Sequence, residues 1–418
     1  MNKYLIISLS VIVFIGSYSI FNAGYNTEGQ VEEETAEGVE EEVEETVEDE
    51  NGGEEEREES TDNNKDENDE EEIEQSGLKE ADLKKTPADF GADTFDCLYS
   101  LSGIPAPKQI AINSKDKEVW VSSLRNKESG LFIIDMKSGE LKKRINLSDE
   151  GGVEIIFGPE EEFGYISQME TGRVFEIDTN SKQVKRTFST HSSWSKGMAI
   201  DESRLYVTNW SGGDVSVIDL DSGELIERFP TATTPRGIYV DENIYVAGFD
   251  NGEIKKHNIE SDQSQSLILT GGAMRDLIGT EDYVYGSDMA SGAVYRVDKE
   301  TQEVGKFLKT HNNPNSIRLT EDEKILAVSN RGINHPSGNY HIPGPEWGSI
   351  IFYDTETGNP VDFLKGGNQP TGLDISQNYL IYSNFLDGEI VVCESPKSSD
   401  LVGKDPLNLD DYREKLKK

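Results

Sequence analysis

Basic side chains recur at one position of a repeated segment. When the repeats are aligned on Pro235-Arg236-Gly237, the residue after the proline position is basic in four of seven, at Lys108, Lys196, Arg236 and Arg275. Cations that converge on a partly desolvated channel focus their field on an anion. Arginine can also grip a carboxylate or phosphate with two parallel hydrogen bonds. The pattern predicts an anion site, unless these cations only pair internally with Glu154 and Asp276.

A second position of the repeat is rich in large side chains. It follows the end of the second strand and holds Leu124, Met169, Trp210, Phe249, Met289, Arg331 and Phe385. Exposed aromatic side chains mark binding surfaces, so we expect Trp210, Phe249, Arg331 and Phe385 to lie around the same ligand as the cations. We place His311 on this face as well. The alternatives are that the apolar members pack between repeats and that His311 is a solvated loop residue.

An insertion of about 15 residues, 332–346, interrupts the sixth repeat and is rich in Gly and Pro. Long loops on a rigid scaffold often carry function, so a lid or recognition loop is predicted. A metal site built from His335, His341 and Glu346 is a weaker hypothesis, and we predict neither a metal nor a cofactor. The chain has no Gly-x-Ser-x-Gly, His-Glu-x-x-His or phosphate-loop motif, so no catalytic residue is predicted.

The elements that must position these residues repeat about every 40 residues. An acidic or amide residue ends the third strand of each unit, at Asp135, Asp178, Asp219, Asn258, Asp298, Asp354 and Glu394. A side-chain oxygen at this position can accept a hydrogen bond from the backbone of the following turn. The second strand ends at Ser123, Gln168, Asn209, Gly248, Asp288, Asn330 and Asn384. Four short alternating strands per unit, repeated seven times, predict an all-β fold, a seven-bladed β-propeller of four-stranded blades.

The segment Tyr206-Val207-Thr208-Asn209, followed by Val217-Ile218-Asp219, resembles the YVTN β-propeller repeat family. The resemblance covers about three quarters of the chain, although only one repeat carries the literal tetrapeptide. It implies a seven-bladed propeller that is often periplasmic or exposed on the cell surface, and it implies no particular ligand. Similar propeller enzymes use scattered residues around the channel, which here could be Glu154, Asp276, Asp288, Asn330, Asn384 and His311.

The seventh repeat ends at Glu394 without a fourth strand. Residues 97–101 align with the fourth strand of the third repeat, so the N-terminal strand is predicted to complete the last blade and close the ring. The same alignment places Cys97 opposite Cys393 in an antiparallel pair, which favours a disulfide. Two free buried cysteines are the alternative.

Composition divides the chain into four segments. The whole chain of 418 residues has 81 acidic and 40 basic residues, a net charge of −41. Residues 1–27 carry an apolar run that predicts a cleaved signal peptide or a membrane anchor. Residues 28–89 are acidic and predict a disordered spacer, with a binding tail or adaptation to salt as alternatives. Residues 90–398 form the predicted propeller and 399–418 a polar tail.

The acidic balance argues against nucleic-acid binding, which needs a basic surface, and against electrostatic docking on anionic lipid. Contact with a membrane is expected only through the N-terminal segment, if it is not cleaved. These features favour an extracytoplasmic, non-enzymatic propeller that binds an unknown ligand or protein, such as an anionic small molecule or a glycan. The alternatives are a lyase or hydrolase acting in the channel and a structural cell-surface protein.

Overall fold

A ring of seven antiparallel sheets confirms the seven-bladed β-propeller. The computed structural model describes residues 83–88, 91–113, 115, 117–124, 129–147 and 150–418. The innermost strand of each blade contacts the innermost strands of both neighbouring blades, and the last of these contacts the first. We name the strands of a blade A to D from the channel outward. The end of the ring at which strands A begin is the top face.

Every blade follows the same strand order, and the turns between neighbouring strands are short except at the insertion between the second and third strands of blade 6. Blade 1 contains β3 (Pro107–Asn113), β4 (Glu118–Ser123), β5 (Gly130–Asp135) and β6 (Leu141–Ile145). Blade 2 contains β7 (Gly152–Phe157), β8 (Phe163–Gln168), β9 (Arg173–Asp178) and β10 (Gln183–Ser189). Blade 3 contains β11 (Ser195–Asp201), β12 (Arg204–Asn209), β13 (Asp214–Asp219) and β14 (Leu225–Pro230).

The next three blades repeat this arrangement. Blade 4 contains β15 (Pro235–Val240), β16 (Asn243–Gly248), β17 (Glu253–Asn258) and β18 (Gln263–Leu269). Blade 5 contains β19 (Met274–Gly279), β20 (Tyr283–Asp288), β21 (Ala293–Asp298) and β22 (Val304–Lys309). Blade 6 contains β23 (Pro314–Leu319), β24 (Ile325–Asn330), β25 (Ser349–Asp354) and β26 (Pro360–Lys365).

Blade 7 joins the two ends of the propeller. Its inner strands are β27 (Pro370–Ile375), β28 (Tyr379–Asn384) and β29 (Glu389–Glu394), and β2 (Cys97–Ser102) forms the fourth strand against β29. The predicted ring closure therefore agrees with the sheet order. Cys97 pairs with Cys393 in this register and the two form a disulfide across a sequence separation of 296 residues. A fifth strand, β1 (Lys84–Thr86), pairs with β2, so the sheet begins inside the segment 28–89 for which the sequence predicts a spacer.

The repeated sequence positions correspond to strand ends. Every B strand ends at a member of the Asn209 series, and every C strand ends at a member of the Asp219 series. The Oδ1 atom of Asp219 accepts a hydrogen bond from the backbone N–H of Ser222 at 2.8 Å. Asp178 and Asp298 make the same contact in their own turns. The recurring carboxylate thus caps the C–D turn, as the sequence predicts.

The hydrophobic core lies between successive blades. Alternate residues of each strand face the neighbouring sheet, which gives one apolar cluster per interface. Its largest fully buried side chains include Trp120, Tyr206, Tyr245, Tyr353 and Tyr382. Because each interface is filled on both sides, the ring holds the inner strands, and the residues at their ends, in fixed positions.

The C-terminal tail follows the outside of blade 6. It contains α1 (Ser398–Leu401) and α2 (Leu409–Glu414). Leu416 is buried, and its carbonyl accepts a hydrogen bond from the N–H of Trp347 at 2.8 Å. The Nζ of Lys418 donates to the carbonyl of Gly344 at 2.8 Å, inside the insertion. The predicted polar tail therefore forms hydrogen bonds with the insertion and with the residue that follows it.

Neither of the two helices in the described part of the chain is long and apolar enough to cross a bilayer. The apolar run at residues 4–21, for which the sequence predicts a signal peptide or anchor, lies outside the described residues.

Candidate functional site

The top of the channel is lined by the residues at the second position of the A strands. Those that face the cavity are Lys108, Val153, Arg236, Arg275, Asn315 and Thr371, and Lys196 occupies this position in blade 3. The cavity volume is about 170 Å³. The sequence alignment on the proline position therefore identifies the channel mouth.

An irregularity in every A strand directs these side chains. The A–B register shifts in all seven blades at this position, for example between Pro235 and Ile238 in blade 4 and between Met274 and Asp276 in blade 5. A bulge bends the strand locally and re-aims its side chains. The side chain of the second residue of each A strand is thereby directed into the channel. A strand with regular pairing along its whole length would not direct it there.

Hydroxyl groups fix the backbone of the mouth residues. The Thr208 Oγ1 accepts a hydrogen bond from Gly197 N at 2.9 Å and donates to the carbonyl of Arg236, in the next blade, at 2.9 Å. Ser167 bridges Glu154 N and the carbonyl of Lys196 in the same way. Blade 4 has Ala247 at this position. The threonine of the Tyr-Val-Thr-Asn segment thus positions a cation on the neighbouring blade.

Five cations surround the mouth: Lys108, Lys196, Arg236, Arg275 and Arg331. Among the described residues, no carboxylate oxygen lies within 4.0 Å of any of them. Their polar contacts are with neutral groups: Arg275 Nε donates to Asn315 Oδ1, and Arg331 Nη2 donates to Gln369 Oε1. The Nε of Arg331 and the Nδ2 of Asn315 are buried without a hydrogen-bond partner in the part of the chain described.

Burial and mutual repulsion perturb these cations. Desolvation, followed by repulsion from Arg275 and Arg236, lowers the pKa of Lys108 well below its ordinary value. Desolvation with repulsion from Arg236 does the same to Lys196 and Arg275. For Arg331, burial lowers the pKa from its ordinary value to about 10. The charged forms are therefore destabilised, and an anion in the channel would reverse that effect.

The acidic residues of the channel form ion pairs and hydrogen bonds with groups other than the mouth cations. Asp276 forms an ion pair with Arg318 at 3.0 Å, and Arg318 Nε lies 3.7 Å from Asp374. Glu154 accepts a hydrogen bond from Gln109 Nε2 at 2.5 Å. Burial, followed by repulsion from Asp276, raises the pKa of Glu154. The alternative interpretation from the sequence, ion pairing between the mouth cations and Glu154 or Asp276, is not what the contacts show.

Aromatic side chains border the cations. The rings of Trp210 and Phe249 lie 4.9 Å apart between adjacent blades, and both are half-buried. The Nζ of Lys196 lies 5.3 Å from the Trp210 ring and 5.1 Å from that of Trp194. Phe385 is buried, with Lys108 Nζ 5.3 Å from its ring. These rings combine packing between blades with contact to the mouth cations, so both sequence interpretations describe part of their role.

The insertion extends to the mouth on the side of blades 6 and 7. The guanidinium of Arg331 lies 5.7 Å from the ring of Tyr340, and Gln369 Nε2 donates to the carbonyl of Tyr340 at 2.7 Å. Tyr340 remains 47% exposed, so its ring is available above the channel. The sequence did not indicate a role for Tyr340 or the exposed Trp194, because nothing in the local sequence shows that these side chains lie near the cations.

His311 is not brought to the channel mouth. Its ring is buried, with Nδ1 3.1 Å from Ser349 Oγ and Nε2 3.2 Å from the carbonyl of Leu409 in α2. The expectation that His311 contributes to the channel site is therefore wrong. A sequence alignment cannot show that the C-terminal tail returns to cover this residue.

Of the residues considered for catalysis, Glu154 and Asp276 line the channel, whereas Asp288, Asn330, Asn384 and His311 do not. Asp288 accepts hydrogen bonds from Thr270 Oγ1 and Ala273 N, and Asn330 accepts one from Thr310 Oγ1. These contacts tie the ends of B strands to neighbouring loops. The Glu346 side chain is held by Asn312 and Arg413, away from any grouping with His335 and His341. In the described ranges, no cluster of three or more His, Cys, Asp or Glu side chains could hold a metal.

Comparison with known proteins identifies relatives of this chain. The chain is 31% identical to Antigen Lp49 of Leptospira interrogans over 290 residues, which are 63% of this chain and 62% of that protein. It is 24% identical to the YncE proteins of Salmonella typhi and Salmonella typhimurium over 244 residues, 53% of this chain and 68% of theirs. No family model matches the chain.

The seven-bladed ring and these relatives fit a β-propeller family. The chain spans 62% of the length of Antigen Lp49, which is less than two thirds. The YVTN repeat assignment stays a prediction, because no family model supports it. None of the names of the relatives states a ligand or a reaction.

Proposed function

We propose that this protein is an extracytoplasmic, non-enzymatic binding protein that takes an anionic ligand at the top of its propeller channel. One observation carries the proposal: five cations surround the mouth, and in the described part of the chain none has a carboxylate within 4.0 Å. Buried charges are normally paired. A site that keeps several unpaired cations in a cavity is suited to receive its counter-charge from a ligand.

The distribution of acids supports a ligand rather than internal neutralisation. The chain is strongly acidic, at −41 overall, yet the carboxylates of the channel pair with Arg318 and Gln109 below the mouth. Glu154 and Asp276 attract Arg236 and Arg275 through space, but among the described residues neither arginine has a carboxylate oxygen within 4.0 Å. The mouth cations and the acidic residues of the channel thus occupy different positions along the A strands.

The surroundings of the mouth support recognition of a bound molecule. Tyr340 from the insertion and Trp194 from the loop before blade 3 are both exposed, at 47% and 40%. Rings in these positions can contact the apolar part of a ligand whose anionic group lies among the cations. Trp210 and Phe249 would form the floor of that contact.

The extracytoplasmic assignment is supported by two facts. A disulfide joins the two ends of the ring, and disulfides persist in oxidising compartments. The relative that covers most of this chain is named an antigen. We propose that residues 1–27 direct export and either are cleaved or remain as an anchor, and that the part of residues 28–89 before β1 acts as a spacer.

The proposal is tested by titrating the exported protein with anions in isothermal calorimetry at several salt concentrations. The double variant Arg236→Gln, Arg275→Gln removes two mouth cations and should weaken binding by at least about 100-fold, since charged hydrogen bonds contribute ~1.5–3 kcal/mol each and ~1.4 kcal/mol corresponds to a factor of ten. The matched control Arg173→Gln, Arg204→Gln removes the same charge from exposed positions of blades 2 and 3.

Wild type and control should bind with similar affinity, and that affinity should fall as salt rises. Equal affinity of the double variant and the control would refute the proposal. So would the absence of any anion that binds the wild type.

A further inference from the structure

The channel holds more positive charge than one carboxylate can neutralise. Among the described residues that line the cavity, four cations face two carboxylates: Lys108, Arg236, Arg275 and Arg318 against Glu154 and Asp276. If all of these groups are ionised, two positive charges remain uncompensated in a narrow cavity. Water in so small a volume screens such a surplus poorly.

We infer that the ligand is a compact anion carrying at least two negative charges, which occupies the channel itself. This inference rests on the proposed function and specifies its ligand class. A singly charged ligand would leave one positive charge unmatched among buried groups, and an unmatched buried charge is costly.

The size of the cavity limits the ligand. Its volume is about 170 Å³, and a cavity of roughly 150 Å³ holds a molecule the size of benzene. A four-carbon dicarboxylate, inorganic phosphate and sulfate all fit these limits. A disaccharide or a nucleotide does not fit inside and could only rest above the channel.

The cations lie on opposite sides of the cavity. Lys108 comes from blade 1, whereas Arg236 and Arg275 come from blades 4 and 5, which face blade 1 across a ring of seven. The unpaired donors Arg331 Nε and Asn315 Nδ2 belong to blade 6. Two separate anionic groups can therefore each meet their own cations, while one tetrahedral anion would have to be shared among all of them.

The test compares probes of equal size and different charge on the full chain. Succinate and its monoamide, succinamate, differ by one negative charge, and inorganic phosphate and sulfate supply compact anions without a carbon chain. We expect succinate to bind at least about tenfold more tightly than succinamate, a difference of about 1.4 kcal/mol.

A variant assigns the effect to the channel. Lys108→Met should reduce the preference for succinate, because the variant removes a cation without adding volume. Lys185→Met, at an exposed position of the outermost strand β10 of blade 2, is the matched control and should leave the affinity for succinate within about twofold.

Each outcome decides the inference. Tighter binding of succinate, phosphate or sulfate than of succinamate supports a multiply charged ligand, and the order among the three separates a dicarboxylate from a tetrahedral anion. Equal binding of succinate and succinamate overturns the inference and leaves the proposed function standing. A preference for succinate that is the same in Lys108→Met as in the wild type overturns its placement in the channel. No binding by any probe overturns both.

Discussion

Arg331→Met should stabilise the protein while weakening its ligand site. Arg331 follows strand β24, and its guanidinium faces Gln369 and the ring of Tyr340. Methionine preserves most of the apolar stem of the arginine and removes only the charged head. If the mouth cations exist for a ligand rather than for folding, removing one should relieve a strain in the empty protein.

The size of this effect follows from the lowered pKa. Burial, with repulsion from Arg236, lowers the pKa of Arg331 from its ordinary value to about 10. At 1.36 kcal/mol per pKa unit, the charged form is about 3 kcal/mol less favourable in the folded than in the unfolded chain. Arg331 stays protonated at neutral pH in both states, so this cost applies there. Because the Arg331 side chain is itself partly exposed to solvent, screening reduces the cost, and we expect a gain of about 1–2 kcal/mol.

Thermal unfolding in a buffer of low ionic strength measures the change. A gain of about 1–2 kcal/mol should raise Tm by roughly 2–6 °C, whereas added anion should raise the Tm of the wild type and have less effect on the variant. Arg173→Met, at an exposed position of β9, is the control and should change Tm little. A lower Tm for Arg331→Met than for the control would show that Arg331 stabilises the fold, and the reasoning would fail.

Three further predictions concern the scaffold. Cys97→Ala with Cys393→Ala should lower the free energy of unfolding by up to roughly 5 kcal/mol, because the disulfide closes a loop of nearly 300 residues; an unchanged midpoint in guanidinium would contradict this. Asp219→Asn should retain the turn cap but lose its pH dependence. Hydrogen bonds from the N–H of Ser222 and, to a smaller extent, from its hydroxyl lower the pKa of Asp219 in the folded chain. The wild type should therefore lose stability relative to the variant as pH falls below about 4. Parallel Tm curves of the two proteins from pH 6 to 3 would refute this prediction. Thr208→Val should cost about 1–3 kcal/mol and weaken anion binding, since its hydroxyl bridges two blades at the mouth; wild-type affinity in Thr208→Val, with Thr208→Ser as control, would count against it.

The blade pattern could be predicted from the sequence because it depends on local rules. Strand ends coincide with the Asn209 and Asp219 series, since a turn needs a side chain that accepts backbone hydrogen bonds. The pairing of Cys97 with Cys393 followed from the same alignment, because register in an antiparallel pair fixes which residues are opposed.

The candidate site was only partly predictable. The alignment located Lys108, Arg236 and Arg275 in the channel, because every blade presents the same position there. It did not locate Arg318, which reaches the channel from lower in blade 6, or Tyr340, which reaches the mouth from an insertion with no counterpart in other blades. Such residues depend on the path of a single segment, which repetition does not encode.

His311 is a residue that the sequence placed at the site and the structure does not. The position of His311 in the repeat matches a loop on the top face. The tail after blade 7 nevertheless folds back over it, and the carbonyl of Leu409 accepts a hydrogen bond from the His311 ring. The tail begins more than 80 residues later in the chain, and its own sequence is polar. Long-range packing of this kind is set by the whole assembled surface and not by the local pattern.

Anomalous diffraction from crystals soaked in selenate tests the central claim most directly, because selenate is a compact dianion and selenium locates it without ambiguity. We predict an anomalous peak inside the channel, in hydrogen-bond contact with the side chains of Arg236 and Arg275. A channel without selenate, in which these two guanidinium groups instead fold against Glu154 and Asp276, would contradict the account.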